Sequence, residues 1–374
     1  MNKLSHATAF TYKNIAKPLL FTLPPDGVHR SLIATGSVIQ RSSLLRSALH
    51  GAWAAKPNER LRQTVHGITF ANPVGLSAGF DKNIELAPLI KAVGFGFMEG
   101  GTITRLPYAG NERPWFYRLP KTKSLVVHVG LANQGACTIL RRVAHYPRDT
   151  FTNFPLNISV GVTNGVHGAT VASMVGDCAQ TVAAVQQNGH ASLVTINISC
   201  PNIYAGQAFT HPTNLELLLA RIDSLNLTLP VFLKMPADLD LDAFDALLRV
   251  AARHSVAGIT VANLTKNRSH LADELPAHVH GGLSGKPTFA LSNKLIKHTY
   301  RTYGDRFTII GVGGIFSAKD AYEKIKCGAT LVALITGMIF EGPQLIGRIN
   351  RELAELLAAD GFASIQEAVG SGVK

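Results

Sequence analysis

Eight short apolar, β-prone runs recur along the chain from residue 71 onward, and helical-looking stretches separate each from the next. They are Asn72 to Ala78, Gly96 to Glu99, Leu156 to Val160, Leu193 to Ile198, Val231 to Met235, Gly258 to Ala262, Thr308 to Val312 and Leu331 to Ile335. A parallel strand buried on both faces reads as a continuous apolar segment, because neither face meets water. Eight of them alternating with helices predict an α/β fold of the (β/α)8 TIM-barrel type. Such a barrel needs about 250 residues, so a chain of 374 has length to spare. The surplus lies at the start, where the alternation is missing. Residues 1–65 are therefore read as an N-terminal helical extension and residues 66–374 as the barrel.

Polar residues or glycines stand at the carboxyl ends of these runs: Ser77-Ala78-Gly79, Gly100-Gly101-Thr102, Asn197, Lys234, Asn263 and Gly313-Gly314. Any one of them is compatible with an ordinary strand-ending turn. Their repetition around a barrel marks its catalytic face. The four cysteines, Cys137, Cys178, Cys200 and Cys327, lack the close pairing of zinc sites or disulfide frameworks, so no metal is expected.

The formal charge of +12 suggests an anionic partner. Lys and Arg are scattered and aromatics make up only 7% of the chain, which argues against a nucleic-acid surface. No apolar run reaches the roughly 18 to 20 residues of a membrane span. In the extension, Lys3, Lys13, Lys17, Arg30, Arg41, Arg46, Lys56, Arg60 and Arg62 face only Asp26 and Glu59 in charge. Between Val28 and His50 the apolar residues fall mostly on one helical face, as in a basic amphipathic helix. Such a helix lies in a membrane interface or packs on the barrel, and periodicity does not choose between them.

Three groups of residues carry chemistry. Gly311-Val312-Gly313-Gly314 and Thr336-Gly337 follow the last two runs, where barrels cradle phosphate with backbone N–H groups. Lys82 and Lys234 sit at or past strand ends among apolar neighbours, where an ammonium needs a partner such as a reduced flavin. In Asn197-Ile198-Ser199-Cys200-Pro201-Asn202, two amides able to read a planar ring flank a thiol able to act as a general base. A lone buried cysteine is otherwise a small apolar side chain.

Four stretches, taken together, resemble the dihydroorotate dehydrogenases: Asn72 to Lys82, the loop around Cys200, Gly281 to Pro287 and Ile310 to Gly314. The likeness runs from about residue 15 to the end. It implies an FMN-bound (β/α)8 barrel that oxidises dihydroorotate to orotate in pyrimidine synthesis. FMN contacts are implied for Ala78, Gly79, Lys82, Thr102, Asn157, Asn197, Lys234, Gly285, Gly314 and Thr336. Lys82, Asn197, Asn202 and Asn263 would face the substrate, and Cys200 stands at the position of the base. His29 and Arg118 resemble residues of the membrane-associated, quinone-using class, which implies a quinone tunnel and peripheral attachment to the cytoplasmic side of a membrane.

The chain also departs from that family. The quinone class carries serine as the base, whereas Cys200 resembles the soluble class. Val127-His128 stands where an asparagine and an arginine are usual, Asn263-Leu264 where threonine follows the asparagine, and Ile335 where tyrosine precedes Thr336. Each lost hydrogen bond to a buried ligand group costs about 1 to 3 kcal/mol. A less polar ring or an enone-type substrate is the alternative that these changes raise.

Overall fold

The computed structural model describes residues 3–165, 170–202, 207–269 and 271–373. Its centre is a closed barrel of eight parallel strands: β1 (Val74–Leu76), β2 (Phe97–Ile103), β3 (Leu156–Val160), β4 (Leu193–Asn197), β5 (Val231–Lys234), β6 (Val256–Val261), β7 (Thr308–Val312) and β8 (Leu331–Leu334). The strands pair in chain order, and β8 closes onto β1 through Val332 and Val74. All eight apolar runs of the sequence are barrel strands. The second is longer than its apolar run indicates, since β2 continues from Glu99 through Gly100-Gly101-Thr102 to Ile103.

Side chains fill the barrel in layers. At the amino end Phe70, Phe97, Phe232, Leu193 and Ile310 form one apolar plug. Gly75 and Gly258 make room for it: a methyl on either would stand 2.2 Å and 2.1 Å from the rings of Phe97 and Phe232. One step toward the carboxyl ends the alternation of strand side chains brings in Glu99, Thr195 and Lys234. An antiparallel sheet of Phe116–Leu119, Ser124–Val127 and Gly282–Gly285 stands at the carboxyl side.

The extension is helical. It comprises α1 (Lys3–Thr11), one π-turn, α2 (Lys17–Thr22), α3 (Pro25–Ile39) and α4 (Ser43–Trp53). The single amphipathic helix expected between Val28 and His50 is two, broken at Gln40-Arg41-Ser42. Ser42 starts α4 by accepting the Leu45 N–H at 3.3 Å, and Arg46 reaches back to the Gln40 carbonyl. Residues 63–65, the end of the extension as read from sequence, pair with residues 68–70 in a hairpin beside the barrel plug.

Four helices outside the strands bear on the site and on the seating of the extension: α5 (Phe289–Tyr303), α6 (Ala318–Lys326), α7 (Thr336–Glu341) and α8 (Leu345–Ala359). The extension is fastened to them and to the loops. Tyr12 donates to the Ile339 carbonyl at 2.6 Å, Lys13 pairs with Glu341, and Gln40 donates to the Glu85 carbonyl at 2.5 Å. The end of α4 lies on Gly347 of α8, where a methyl would stand 1.9 Å from the Trp53 carbonyl oxygen. Gly347→Ala is therefore expected to cost about 1 to 3 kcal/mol by overpacking. Urea denaturation checks this; an unchanged midpoint would show that α4 is not seated there.

Candidate active site

A cavity opens at the carboxyl ends of the strands, with about 1540 Å³ of empty space including its mouth. Its floor is made by the ends of β1, β2, β4, β5, β6, β7 and β8, and its upper wall by α3 and the strand Phe116–Leu119. Of the residues predicted to bind or react, Ala78, Gly79, Lys82, Thr102, Asn197, Cys200, Asn202, Lys234, Asn263, Gly285, Gly314, Thr336, His29 and Arg118 all line it. Asn157 does not. Its amide is turned into the barrel, donating to Thr195 Oγ1 at 2.8 Å and accepting from it at 3.1 Å, with no exposure.

The floor is a connected polar network. Asn197 donates to Thr102 Oγ1 at 3.1 Å, and Thr102 Oγ1 lies 2.8 Å from Ser159 Oγ. Asn263 donates to Asn197 Oδ1 at 3.1 Å and to Ser199 Oγ at 3.0 Å, and Ser199 donates to the Lys234 carbonyl at 2.7 Å. Both amide hydrogens of Asn263 are thereby spent, and its oxygen already accepts the Leu264 N–H at 2.9 Å. Asn202 donates to the Val127 carbonyl at 2.8 Å, while its own carbonyl accepts from Asn111 at 2.9 Å.

Two ammonium groups reach the cavity. Lys234 Nζ faces Glu99 Oε2 at 3.8 Å, both side chains being almost wholly buried, and the same oxygen accepts the Ala78 N–H at 3.2 Å. Glu99 was not singled out from the sequence, although a carboxylate inside a buried apolar strand is a signal that could have found it. Lys82 Nζ is inaccessible to solvent and has no hydrogen-bond partner. It lies 5.2 Å from the centre of the Phe116 ring and 5.9 Å from that of Trp115. Burial pushes its pKa down to about 8.

Cys200 is buried, 7% exposed. Burial pushes its thiol up to about 11, against the opposing pull of the Asn202 N–H and the Lys234 charge. His29 Nε2 lies 2.8 Å from the Phe80 carbonyl, which can only accept, so the ring nitrogen there carries the proton. Burial and the nearby Lys82 charge hold the imidazole down to about 4, so it is neutral at physiological pH. Arg118 donates to the carbonyls of Phe21 and Leu23 at 3.2 Å and 2.7 Å, closing the end of α2 over the cavity wall.

These residues fit a flavin nucleotide. Gly79, Gly285, Gly313 and Gly314 line the cavity with φ of +112°, +82°, +109° and +73°, conformations that L side chains rarely adopt, so the backbone is presented bare to a ligand. Amides, an ion-paired ammonium and an orphaned ammonium converge on the same space. A planar, polar ring with an anionic tail satisfies that set.

A family model described as Dihydroorotate dehydrogenase matches residues 60–357. A protein of Parvibaculum lavamentivorans named Dihydroorotate dehydrogenase (quinone) is 35% identical over 361 residues, covering 96% of this chain and 98% of the relative. One of the same name from Deinococcus deserti is 34% identical over 375 residues, covering 96% and 99%. The crystal structure of a ligand-free DHODH from Eimeria tenella superposes with a TM-score of 0.81 at 27% identity, covering 91% of this chain and 99% of that one. Barrel, site and relatives agree: the chain belongs to the dihydroorotate dehydrogenase family.

Proposed function

We propose that the protein is an FMN-dependent dehydrogenase that oxidises dihydroorotate to orotate and delivers the electrons to a quinone at a membrane surface. The observation that carries this reading is the ammonium of Lys82, buried in the cavity wall without a hydrogen-bond partner. A buried cation of this kind calls for an anion, and the substrate carboxylate supplies one. A bound FMN would supply the hydride-accepting ring and the means of passing the substrate's two electrons on to a quinone.

The chain's own groups do the rest. Lys82 binds the carboxylate and orients the ring. Asn197 and Asn202 hold the ring's amide edge, Asn263 faces it with the remaining lone pair of its side-chain oxygen, and Cys200 removes the proton at C5. Thr102, Lys234, Gly285, Gly314 and Thr336, with Ala78 and Gly79, hold the flavin. The quinone enters between α3 and the strand Phe116–Leu119, past His29 and Arg118, where Pro25, Val28 and Leu32 give an apolar wall.

Membrane attachment rests on a concentration of apolar surface. Phe10, Ile15, Leu19, Leu23, Leu32, Val38, Leu44 and Leu45 are all large and exposed, and all lie in the extension. Among the described residues outside the extension, Leu106 and Leu217 are also large, apolar and exposed. No helix among the described residues is long and apolar enough to cross a bilayer. Helices of this composition, with Lys17 and Arg30 among them, lie in the interface with basic groups toward lipid phosphates. We place the protein on the cytoplasmic face, with residues 1–65 as the attaching unit.

A second reading is favoured by the pocket's polar inventory. Val127, Val129, Leu131, Ala132 and Leu264 line the cavity, and Asn263 has no amide hydrogen left for a ligand. Such a wall suits a less polar ring or an enone-type substrate, with FMN, Cys200 and quinone retained. Anaerobic mixing separates the two. Dihydroorotate that fails to bleach the flavin of a yellow, folded protein would overturn the first reading and leave the second standing.

Cys200→Ala should leave flavin bound while slowing its reduction by at least about 10²-fold; unchanged single-turnover reduction would refute the role. The pH dependence has a definite sign. A thiol whose pKa is pushed up to about 11 is mostly protonated at neutrality, so the limiting rate of flavin reduction should climb through about pH 7 to 9. Lys82 loses its proton above about 8, so the KM for an anionic substrate should rise over the upper part of that window. A flat rate would remove Cys200 as the base. Deleting residues 1–65 should abolish co-sedimentation with anionic vesicles and slow quinone turnover while substrate still reduces the flavin; full quinone turnover would reduce the extension to packing.

A further inference from the structure

Lys324 is fully buried, and nothing in the proposed reaction uses it. Its stem on α6 crosses the outer face of β7 at Gly311, where an added methyl would stand 3.4 Å from Lys324 Cδ. The ammonium ends in the first turn of α5. It donates to Ser292 Oγ and, at 2.7 Å, to Asn293 Oδ1, and lies 4.9 Å from the centre of the Phe289 ring. Both hydrogen-bond partners are neutral. Asn293 passes the interaction on to Glu323 Oε1 at 2.9 Å, but Glu323 is exposed and its charge is spread into water. A buried ammonium without an adjacent anion is unfavourable unless something supplies the missing charge.

The other side of this ammonium is the glycine loop of the cavity. A methyl on Gly313 would meet Thr288 Oγ1 at 2.5 Å and Ser292 Oγ at 3.5 Å, and one on Gly314 would meet Phe289 Cβ at 2.4 Å. The residues that surround the ammonium, Ser292 and Phe289, thus press directly on Gly313-Gly314, and both glycines line the cavity. One hydroxyl and one glycine separate the cation from the place where an anion would sit.

We propose that Lys324 is the fixed counter-charge of the cofactor's phosphate, a positioning residue that acts through Ser292 and the Gly313-Gly314 loop without touching the ligand. This rests on the flavin reading above. Backbone N–H groups alone supply partial charges, whereas a phosphate carries about −1.5 to −2. A cation held behind the loop adds a full charge that solvent and salt screen little. Burial meanwhile pushes this ammonium down to about 7, with Cys327, Glu323 and Asp320 opposing the shift and Lys286 adding to it. Arrival of a phosphate raises it again, so binding takes up a proton.

The test compares FMN with riboflavin, which has the same ring and no phosphate, on the full-length chain stripped of flavin. Lys324→Gln, which keeps hydrogen bonds to Ser292 and Asn293 and loses the charge, should weaken FMN by about 10- to 30-fold and leave riboflavin unchanged. Equal losses for both ligands, or none for either, would overturn the proposal. Should the variant not fold, the unmodified protein still decides. Its FMN-to-riboflavin affinity ratio should fall as pH rises from about 7 to 9, above the phosphate's own titration, and a constant ratio would overturn the proposal. A wild-type chain that takes up neither flavin would instead overturn the flavin reading.

Discussion

Positive charge kept out of water at the mouth of a closed parallel barrel is the constraint around which this molecule is arranged. Lys82, Lys234 and Lys324 all place ammonium groups where solvent cannot reach or barely reaches them. Each is handled differently. Lys234 has Glu99 as a protein anion, Lys324 has only neutral partners, and Lys82 has aromatic faces and no hydrogen bond. An ion pair inside a barrel is seldom a net source of stability, because desolvation offsets the attraction. The arrangement makes sense as preorganisation for anionic groups that arrive from outside.

The barrel supplies that preorganisation by rigidity. Layers of side chains fill its amino end with phenylalanines that glycines at 75 and 258 admit, so the polar layer above cannot sink into the interior. Glu99 is fixed by its strand and in turn fixes both the Ala78 backbone and Lys234. Amides on different strand ends are tied to one another, Asn197 to Thr102 and Asn263 to Asn197, which limits their rotation. The cost of that rigidity is capacity: hydrogen bonds made within the site are no longer available to a substrate.

The extension completes the cavity, which the barrel alone would leave open at the top. His29 and Leu32 on α3 close it from above, and Arg118 secures the carbonyls at the end of α2. Because the same helices expose their other apolar side chains outward, the site's roof and this cluster of exposed apolar side chains belong to one structural unit. A change that loosened the helices from Glu341 or Gly347 would alter both.

Strand order, barrel closure and the roster of mouth residues were legible in the sequence, because burial on both faces leaves continuous apolar runs and strand-end residues follow from chain position alone. Most glycines, lysines and asparagines of the mouth stand out this way, whereas Asn157 and Gly285, like His29 and Arg118, are implied by the family resemblance; of the whole set Asn157 does not line the cavity. Asn157 points inward like Ser159 on the same strand but lies one layer deeper, where it is bonded to Thr195 beneath the cavity. The break at Gln40-Arg41-Ser42 was hidden because apolar periodicity continues on both sides of a capped turn. Glu99, the occupied donors of Asn263 and the placement of Lys324 behind Gly313 depend on contacts between elements far apart in the chain. Sequence determines which groups each strand carries; only the closed barrel decides which of them meet, since meeting is set by register and layer and not by separation along the chain.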